Sequence, residues 1–178
     1  AASDSAIALL HLRWATPGLG INQNNTHPFT YQDISFMHNG SITPFDCLDS
    51  LIAPEYLSLA AGTTDSERYF LYLLTQIKSA NFIDGVLSAI SYIKNNCDYT
   101  SLNMMISNKD TLICLCLYNL DRVPERFKST PEYYQINYTQ QLRAEAARPV
   151  EGAALFAALQ QAQPGGYALY LDMGGEQV

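Results

Sequence analysis

The sequence predicts one main domain that combines buried strands with amphipathic helices. Two observations support a mixed α and β fold. Short apolar runs near the start of the chain are followed by two segments with helical periodicity, and a hairpin pattern follows those helices. The chain has 178 residues. Chains of about 150 residues bury roughly two-thirds of their unfolded surface, so a real core is expected.

The first two predicted strands are short. Residues 6–12 and 34–38 are apolar, while residues 16–20 and 22–27 are rich in Gly, Pro and Asn and predict loops. Polar residues follow each apolar run. We therefore expect them at strand ends, where loops on a rigid sheet often carry binding and catalytic groups.

Two amphipathic helices are predicted next. Thr64 with Glu67 three residues later is a capping-box pattern, so a helix is expected to begin there with Asp65 in its first turn. Apolar residues at helical spacing follow the cap: Phe70, Leu73, Leu74 and Ile77. A second helix is predicted from the same periodicity in residues 83–90, with an end near Asn95 and Asn96.

The remaining chain predicts a hairpin and then changes in composition. Strands over 102–107 and 111–118 flank Asn108-Lys109-Asp110, and residues 133–139 predict another strand. From Gln141 onward there is no Lys, Asn, Ile, Ser, Thr, Cys or His. We predict a domain over 1–140 and a distinct tail over 141–178. Within the tail we expect a helix over 152–163 and a strand over 167–172.

Charge and cysteine usage exclude several classes of protein. The net charge is −7 with only 10 Lys and Arg, so no nucleic-acid partner is expected. No apolar run reaches the roughly 18 to 20 residues of a membrane span, and no export signal is evident. The four cysteines form no CxxC and the three histidines lack zinc spacing, so we expect reduced thiols, no metal and a cytoplasmic location.

The polar residues of positions 11–67 suggest a site for a small molecule. An arginine fork grips a carboxylate and a carboxylate pairs with an ammonium, so Arg13 with Asp65 could clamp an amino-acid head group. The Asn39 amide beside the Gly40 N–H could supply two donors to an oxyanion. Thr16 adds a hydroxyl.

Each of these features also has a purely structural explanation. An Arg and an Asp often form a structural ion pair, and Asn-Gly often forms a hairpin turn. Trp14 could be a core residue, and each histidine could be a satisfied hydrogen-bonding group. No single element is specific.

Together, the order and the residues of four motifs resemble those of the class II glutamine amidotransferases. The motifs are His11-Leu-Arg13-Trp14-Ala-Thr16-Pro-Gly18, Asn25-Thr-His27-Pro-Phe, Phe36-Met-His38-Asn39-Gly40-Ser-Ile42 and Gly62-Thr-Thr-Asp65-Ser-Glu67. The resemblance covers about residues 6–139 and favours the stand-alone subfamily. It implies an α+β, N-terminal-nucleophile-hydrolase-like four-layer sandwich, with two antiparallel sheets between helical layers.

The resemblance also implies a role for each site residue. Asn39 and Gly40 would form the oxyanion hole, Arg13 would bind the glutamine α-carboxylate and Asp65 its α-ammonium. The pocket would be lined by Trp14, Thr16 and His27. The family hydrolyses the glutamine side-chain amide to glutamate and ammonia with an N-terminal cysteine, and needs no cofactor.

The sequence departs from the family pattern at both ends. Position 1 is Ala, and the family's first strands are not found before residue 6, so we expect an N-terminally truncated domain without its nucleophile and without activity. The bared sheet edge would favour either self-association into a homo-oligomer or poor solubility. Residues 155–175 resemble a short segment of chorismate-utilising enzymes, and a junction or replaced sheet edge explains them best.

Two alternatives remain open at this stage. One is a γ-glutamyl amidohydrolase that acts on a larger metabolite. The other is a non-catalytic glutamine-binding or assembly module.

Overall fold

The protein is represented by a computed structural model, which describes residues 9–11, 22–128, 130 and 167–172. The described strands form a five-stranded antiparallel sheet in the order β1-β2-β3-β4-β5. Their bounds are Phe29–Tyr31 (β1), Ile34–Thr43 (β2), Asp98–Ser107 (β3), Thr111–Cys116 (β4) and Tyr167–Asp172 (β5).

Two 15-residue helices pack on each other and on the sheet, α2 (Asp65–Ser79) against β2 and α3 (Phe82–Asn96) against β3. Each begins at a side-chain cap: the Thr64 hydroxyl accepts the Glu67 N–H, and the Asn81 side chain accepts the Asp84 N–H. The helices are Pro54–Leu57 (α1), Asp65–Ser79 (α2), Phe82–Asn96 (α3) and Glu125–Lys128 (α4), with short 3₁₀ turns at Gln23–Asn25 and Asp49–Leu51.

The core lies between these helices and one face of the sheet. Alternate residues of β2, β3 and β4, such as Phe36, Met104 and Ile113, are fully or almost fully buried there. The Phe36 ring stacks on Phe70 of α2 with 5.6 Å between ring centroids. The Tyr69 hydroxyl of α2 donates to the Met104 sulfur at 3.3 Å. Helix α2 is thereby fixed across β2 and β3.

The second face of the sheet is also buried in its middle. Met37, Asn103, Cys114 and Cys116 alternate with the core residues and are shielded from solvent. Asn39 lies on this same face but is exposed. It therefore has access to solvent from a strand that is otherwise well packed.

Several predicted elements are confirmed. Helix α2 begins after Thr64, α3 ends at Asn96, and strands flank the turn at 108–110. The strand predicted over 167–172 is β5, and it pairs along the whole of β4. In the described residues none of the four cysteines forms a disulfide; Cys114 and Cys116 are buried, while Cys47 and Cys97 are half-buried.

Two predictions about strands were wrong. Strand β2 does not end at His38 but continues to Thr43, because residues 39–43 pair with β3. In the described part of the segment 6–12, residues 9–11 are irregular and Leu10 is 82% exposed. An apolar run alone does not predict a strand, because a strand also needs a neighbouring strand with which to pair.

Other predictions fall on residues outside the described ranges, including the loop at 16–20, the strand at 133–139 and the helix at 152–163. The described strands form one sheet, so the two-sheet, four-layer sandwich remains a prediction. Among the described helices, none is long and apolar enough to cross a membrane.

Candidate functional site

The centre of the candidate site is the middle of β2, where Asn39 and Gly40 lie inside the strand. They face Asn103 and Leu102 of β3, so the hairpin-turn explanation for Asn-Gly is wrong. Gly40 has φ of +156°, and a Cβ there would lie 2.0 Å from the Ser101 carbonyl oxygen. Only glycine fits at position 40 because any side chain would overlap the β3 backbone.

Asp65 joins the N-terminus of α2 to the same strand. One of its carboxylate oxygens, Oδ2, accepts the backbone N–H of Ile42 at 2.7 Å. The neighbouring Ser41 N–H turns the other way and donates to Thr100 Oγ1 on β3 at 3.0 Å. Because amides alternate between the two edges of a strand, the Gly40 N–H is expected on the edge that Asp65 occupies.

His38 is a buried link between β2, β3 and α2, with 3% of its surface exposed. Its Nε2 lies 3.0 Å from the Ser101 carbonyl oxygen, and its Nδ1 lies 3.0 Å from Ser66 Oγ. A carbonyl can only accept, so Nε2 carries a proton. In the neutral ring Nδ1 is then the acceptor, and the Ser66 hydroxyl donates to it.

The electrostatics at His38 agree with a neutral ring. Burial lowers the pKa of His38 below its ordinary value of 6.5, while the Asp65 charge and the bond to Ser101 act in the opposite direction. Tyr69 packs edge-on against the ring at 5.3 Å between centroids, which adds to its desolvation. The protonated form would place a charge inside the core.

A second set of contacts fastens the loop that contains His27 to the loop before α2. The Asn25 Oδ1 accepts the Thr63 N–H at 3.0 Å, and the Asn24 side chain donates to the Ala61 carbonyl at 3.1 Å. Gly62 packs so closely on Asn25 that a Cβ would approach its Oδ1 to 2.3 Å. The loop therefore has a defined position beside the start of α2.

His27 is half-buried in this loop. Its ring lies 4.4 Å from the ring of His11 and meets Phe29 edge-on at 4.9 Å, both measured between centroids. Phe29 in turn stacks on Phe70 of α2. These contacts orient His27 on the β1 side of the helix.

Glu67 holds the loop before α2 in place. The carboxylate is 5% exposed and accepts the N–H groups of Ala61 and Gly62 at 2.8 to 3.0 Å. Arg68 donates to the same carboxylate and forms an ion pair with Asp49, both at 2.8 Å. This network is structural and leaves Asp65 as the acid next to β2.

The structure therefore brings Asp65 next to the strand that carries Asn39 and Gly40. Arg13, Trp14 and Thr16 lie outside the described residues, so the clamp between Arg13 and Asp65 stays a prediction. In the described residues, no cluster of three or more His, Cys, Asp or Glu is arranged to hold a metal ion.

His38 and Ser66 both lie in the sequence motifs but had no predicted role, and Ser101 lies in none of the motifs. One signal was available: His38 follows Phe36 at strand spacing, which predicts that both side chains lie on the core face. The contact with Ser101 spans 63 positions and leaves no local trace in the sequence.

Comparison with known proteins matches the family model "Glutamine amidotransferases class-II" to residues 2–141. "Probable glutamine amidotransferase DUG3" of Saccharomyces cerevisiae is 35% identical over 82 residues, 44% of this chain and 23% of that protein. "Uncharacterized protein MJ1515" of Methanocaldococcus jannaschii is 30% identical over 149 residues, 75% of this chain and 40% of that protein. The chain thus spans less than half the length of either relative.

Two solved structures are also similar. One is a glutamine aminotransferase class-II domain protein of Silicibacter pomeroyi, with 28% identity and a TM-score of 0.46 over 57% of this chain and 51% of that one. The other is a "predicted glutamine amidotransferase" of Pseudomonas aeruginosa, with 26% identity and a TM-score of 0.41 over 52% of this chain and 38% of that one.

Proposed function

This chain belongs to the class II glutamine amidotransferases, and from that membership we propose that it binds L-glutamine for hydrolysis of the side-chain amide to glutamate and ammonia. The observation that carries the proposal is the hydrogen bond of 2.7 Å from the Ile42 N–H to Asp65. It fixes a carboxylate beside β2, two residues along the strand from Gly40, so the proposed partners of the head group and of the side-chain amide lie on one strand.

In this proposal Asp65 binds the α-ammonium of glutamine. One carboxylate oxygen accepts the Ile42 N–H, and we assign the other to the ammonium group of the substrate. A charge-assisted hydrogen bond of this kind contributes about 1.5 to 3 kcal/mol. Arg13 would bind the α-carboxylate, with Trp14, Thr16 and His27 around the substrate.

Asn39 and Gly40 provide the oxyanion donors. The Asn39 side chain is exposed and the Gly40 amide is expected on the edge next to Asp65, so both donors are available to a ligand. Donors fixed in a paired strand need little reorganisation when negative charge develops on the amide oxygen. The nucleophile in this chemistry is an N-terminal cysteine with its own amine as base.

Binding of L-glutamine, measured by isothermal titration calorimetry, tests the head-group site. Asp65→Asn keeps an oxygen that can accept the Ile42 N–H but removes the charge, so we expect Kd to rise about 10- to 100-fold, as loss of a charge-assisted bond implies. Asp84→Asn is the matched control, because Asp84 occupies the start of α3 and is exposed.

Equal affinity of the wild type and Asp65→Asn would contradict the assignment of Asp65, and no binding of glutamine by the wild type would contradict the proposed substrate. Tighter binding of a γ-glutamyl dipeptide than of glutamine would favour the amidohydrolase alternative.

Where an N-terminal cysteine is present, Asn39→Ala is expected to lower kcat about 100- to 1000-fold while Kd stays constant. Glutamine binding without any ammonia release there would favour the non-catalytic module.

A further inference from the structure

Two cysteines that are 50 positions apart meet where β2 ends. The Cys47 thiol donates to the Cys97 sulfur across 3.6 Å. Cys47 lies in the turn after β2, and its N–H donates to the Pro44 carbonyl at 3.1 Å. Cys97 directly follows α3, and its N–H donates to the Ile93 carbonyl at 2.9 Å. Backbone hydrogen bonds therefore hold both residues in place.

The main chain next to this pair of cysteines is held by strand pairing between β2 and β3. Thr43, at the end of β2, pairs with Asp98, the residue after Cys97. To form a disulfide the two sulfurs must move about 1.6 Å closer, to the bond length of about 2.0 Å. Rotation of side chains that are already in contact is a small change compared with a rearrangement of the backbone.

We propose that Cys47 and Cys97 form a redox-active dithiol that closes to an intrachain disulfide when it meets an external small-molecule disulfide. Both residues are half-buried at the edge of the core, so each is partly exposed to solvent. Cys114 and Cys116 differ, because they are buried and lie two positions apart on one strand. That arrangement disfavours a mutual disulfide.

The reaction is a thiol–disulfide exchange in two steps. One protein thiolate attacks the external disulfide, which forms a mixed disulfide and releases one small thiol. The second protein sulfur then attacks the mixed disulfide at the protein sulfur and releases the second small thiol. The two protein sulfurs lose two electrons and two protons, and the external disulfide gains both.

The local environment makes this exchange slow at neutral pH. Burial, followed by the hydrogen bond to Cys97, raises the pKa of Cys47 to about 12. Little of Cys47 is then present as the thiolate, which is the reactive form. The rate of closure should therefore increase with pH through the alkaline range.

The test uses the reduced chain in buffers with increasing ratios of oxidised to reduced glutathione. After an acid quench, intact mass and peptide mapping report the state of each cysteine. We expect loss of two hydrogen masses, a link between positions 47 and 97, and a Tm roughly 5 to 10 °C higher than that of the reduced chain, because a long loop is closed. A wild type that stays reduced where the urea-unfolded chain is oxidised would overturn the proposal.

Single variants separate this pair from the other cysteines. Cys114→Ser should close as the wild type does, whereas Cys47→Ser should not close and should instead accumulate a mixed disulfide with glutathione on Cys97. Cys97→Ala repeats the test from the other side, with circular dichroism to confirm that each variant is folded. An internal disulfide in either Cys47→Ser or Cys97→Ala would overturn the proposal, as would a link through Cys114 or Cys116 in the wild type.

Discussion

Helices α2 and α3 are alike in length and in capping but differ in what their first turns contact. Both have 15 residues, and both begin at a side chain that accepts the N–H of the third helical residue. At α3 the Asn81 amide donates to the Asp84 carboxylate at 2.6 Å, and these groups are exposed. At α2 the first three residues bind to the rest of the protein.

Each of these three residues has a separate partner. Asp65 binds the Ile42 amide, Ser66 binds His38, and Glu67 binds the loop at 61–62. The same local signal therefore starts a helix in both places, while tertiary contacts connect only one of the two starts to the strand of the candidate site. A cap motif predicts where a helix begins and says little about whether that end has a function.

The largest difference in stability between the two helix starts is expected when the acid at the third helical position is replaced, Glu67 in α2 and Asp84 in α3. Glu67→Gln replaces a buried carboxylate that accepts several N–H groups with an amide that presents its own donors to them. We expect the free energy of unfolding to fall by about 2 to 4 kcal/mol, measured by urea denaturation. Asp84→Asn, at the exposed start of α3, should change it by no more than about 0.5 kcal/mol. Similar losses of unfolding free energy in the two variants would show that the contacts of Glu67 do not make the start of α2 more important for stability than the start of α3.

The caps themselves should differ less. Thr64→Ala is expected to cost about 1 to 2 kcal/mol and Asn81→Ala about 1 kcal/mol, since both remove one cap hydrogen bond. Thr64 is buried and Asn81 is exposed, so water can replace the lost partner more easily at α3. Thermal or urea unfolding of both variants gives the comparison, and a larger loss for Asn81→Ala would show that burial does not set the order.

The smallest expected effect is a dependence on pH that belongs to the start of α2. The lowered pKa of His38 means that the unfolded chain takes up the proton first as the pH falls below about 6.5. Stability should therefore decrease toward acid pH, by at most about 1.4 kcal/mol from this group over the whole interval from pH 7.5 to pH 5.5. Urea unfolding at pH 7.5 and pH 5.5 measures the slope.

His38→Gln provides the control for that slope. A glutamine amide can donate to the Ser101 carbonyl and accept from Ser66, but it does not titrate. The variant should have a weaker dependence on pH than the wild type over the same interval. An unchanged slope would assign the acid sensitivity to other groups.

The sequence predicted the local features well because their causes are local. The cap at Thr64, the end of α3 at Asn96 and the turn at 108–110 each depend on residues within a few positions. It failed at β2, where the length of the strand depends on pairing with β3. The position of Asn39 inside the strand, and not at its end, followed from that pairing.

The sequence predicted which residues form the candidate site but not how they are arranged. The order of the motifs predicted that Asp65, Asn39 and Gly40 belong to one group. The structure adds the hydrogen bond from the Ile42 N–H to Asp65, which attaches Asp65 to the strand that contains Asn39 and Gly40. The requirement for glycine at position 40 comes from Ser101, a residue of another strand. Such long-range contacts can be read only from the folded chain.

The pairing of β5 with β4 has a practical consequence for how the protein can be divided. The change in composition near residue 141 invites an expression boundary there, yet residues 167–172 align with Thr111–Cys116 over their full length. A fragment that stops at 141 would leave the outer amides and carbonyls of β4 open to any chain able to add a strand. A change in composition is thus a poor guide to whether the rest of the protein can be expressed without the segment that differs.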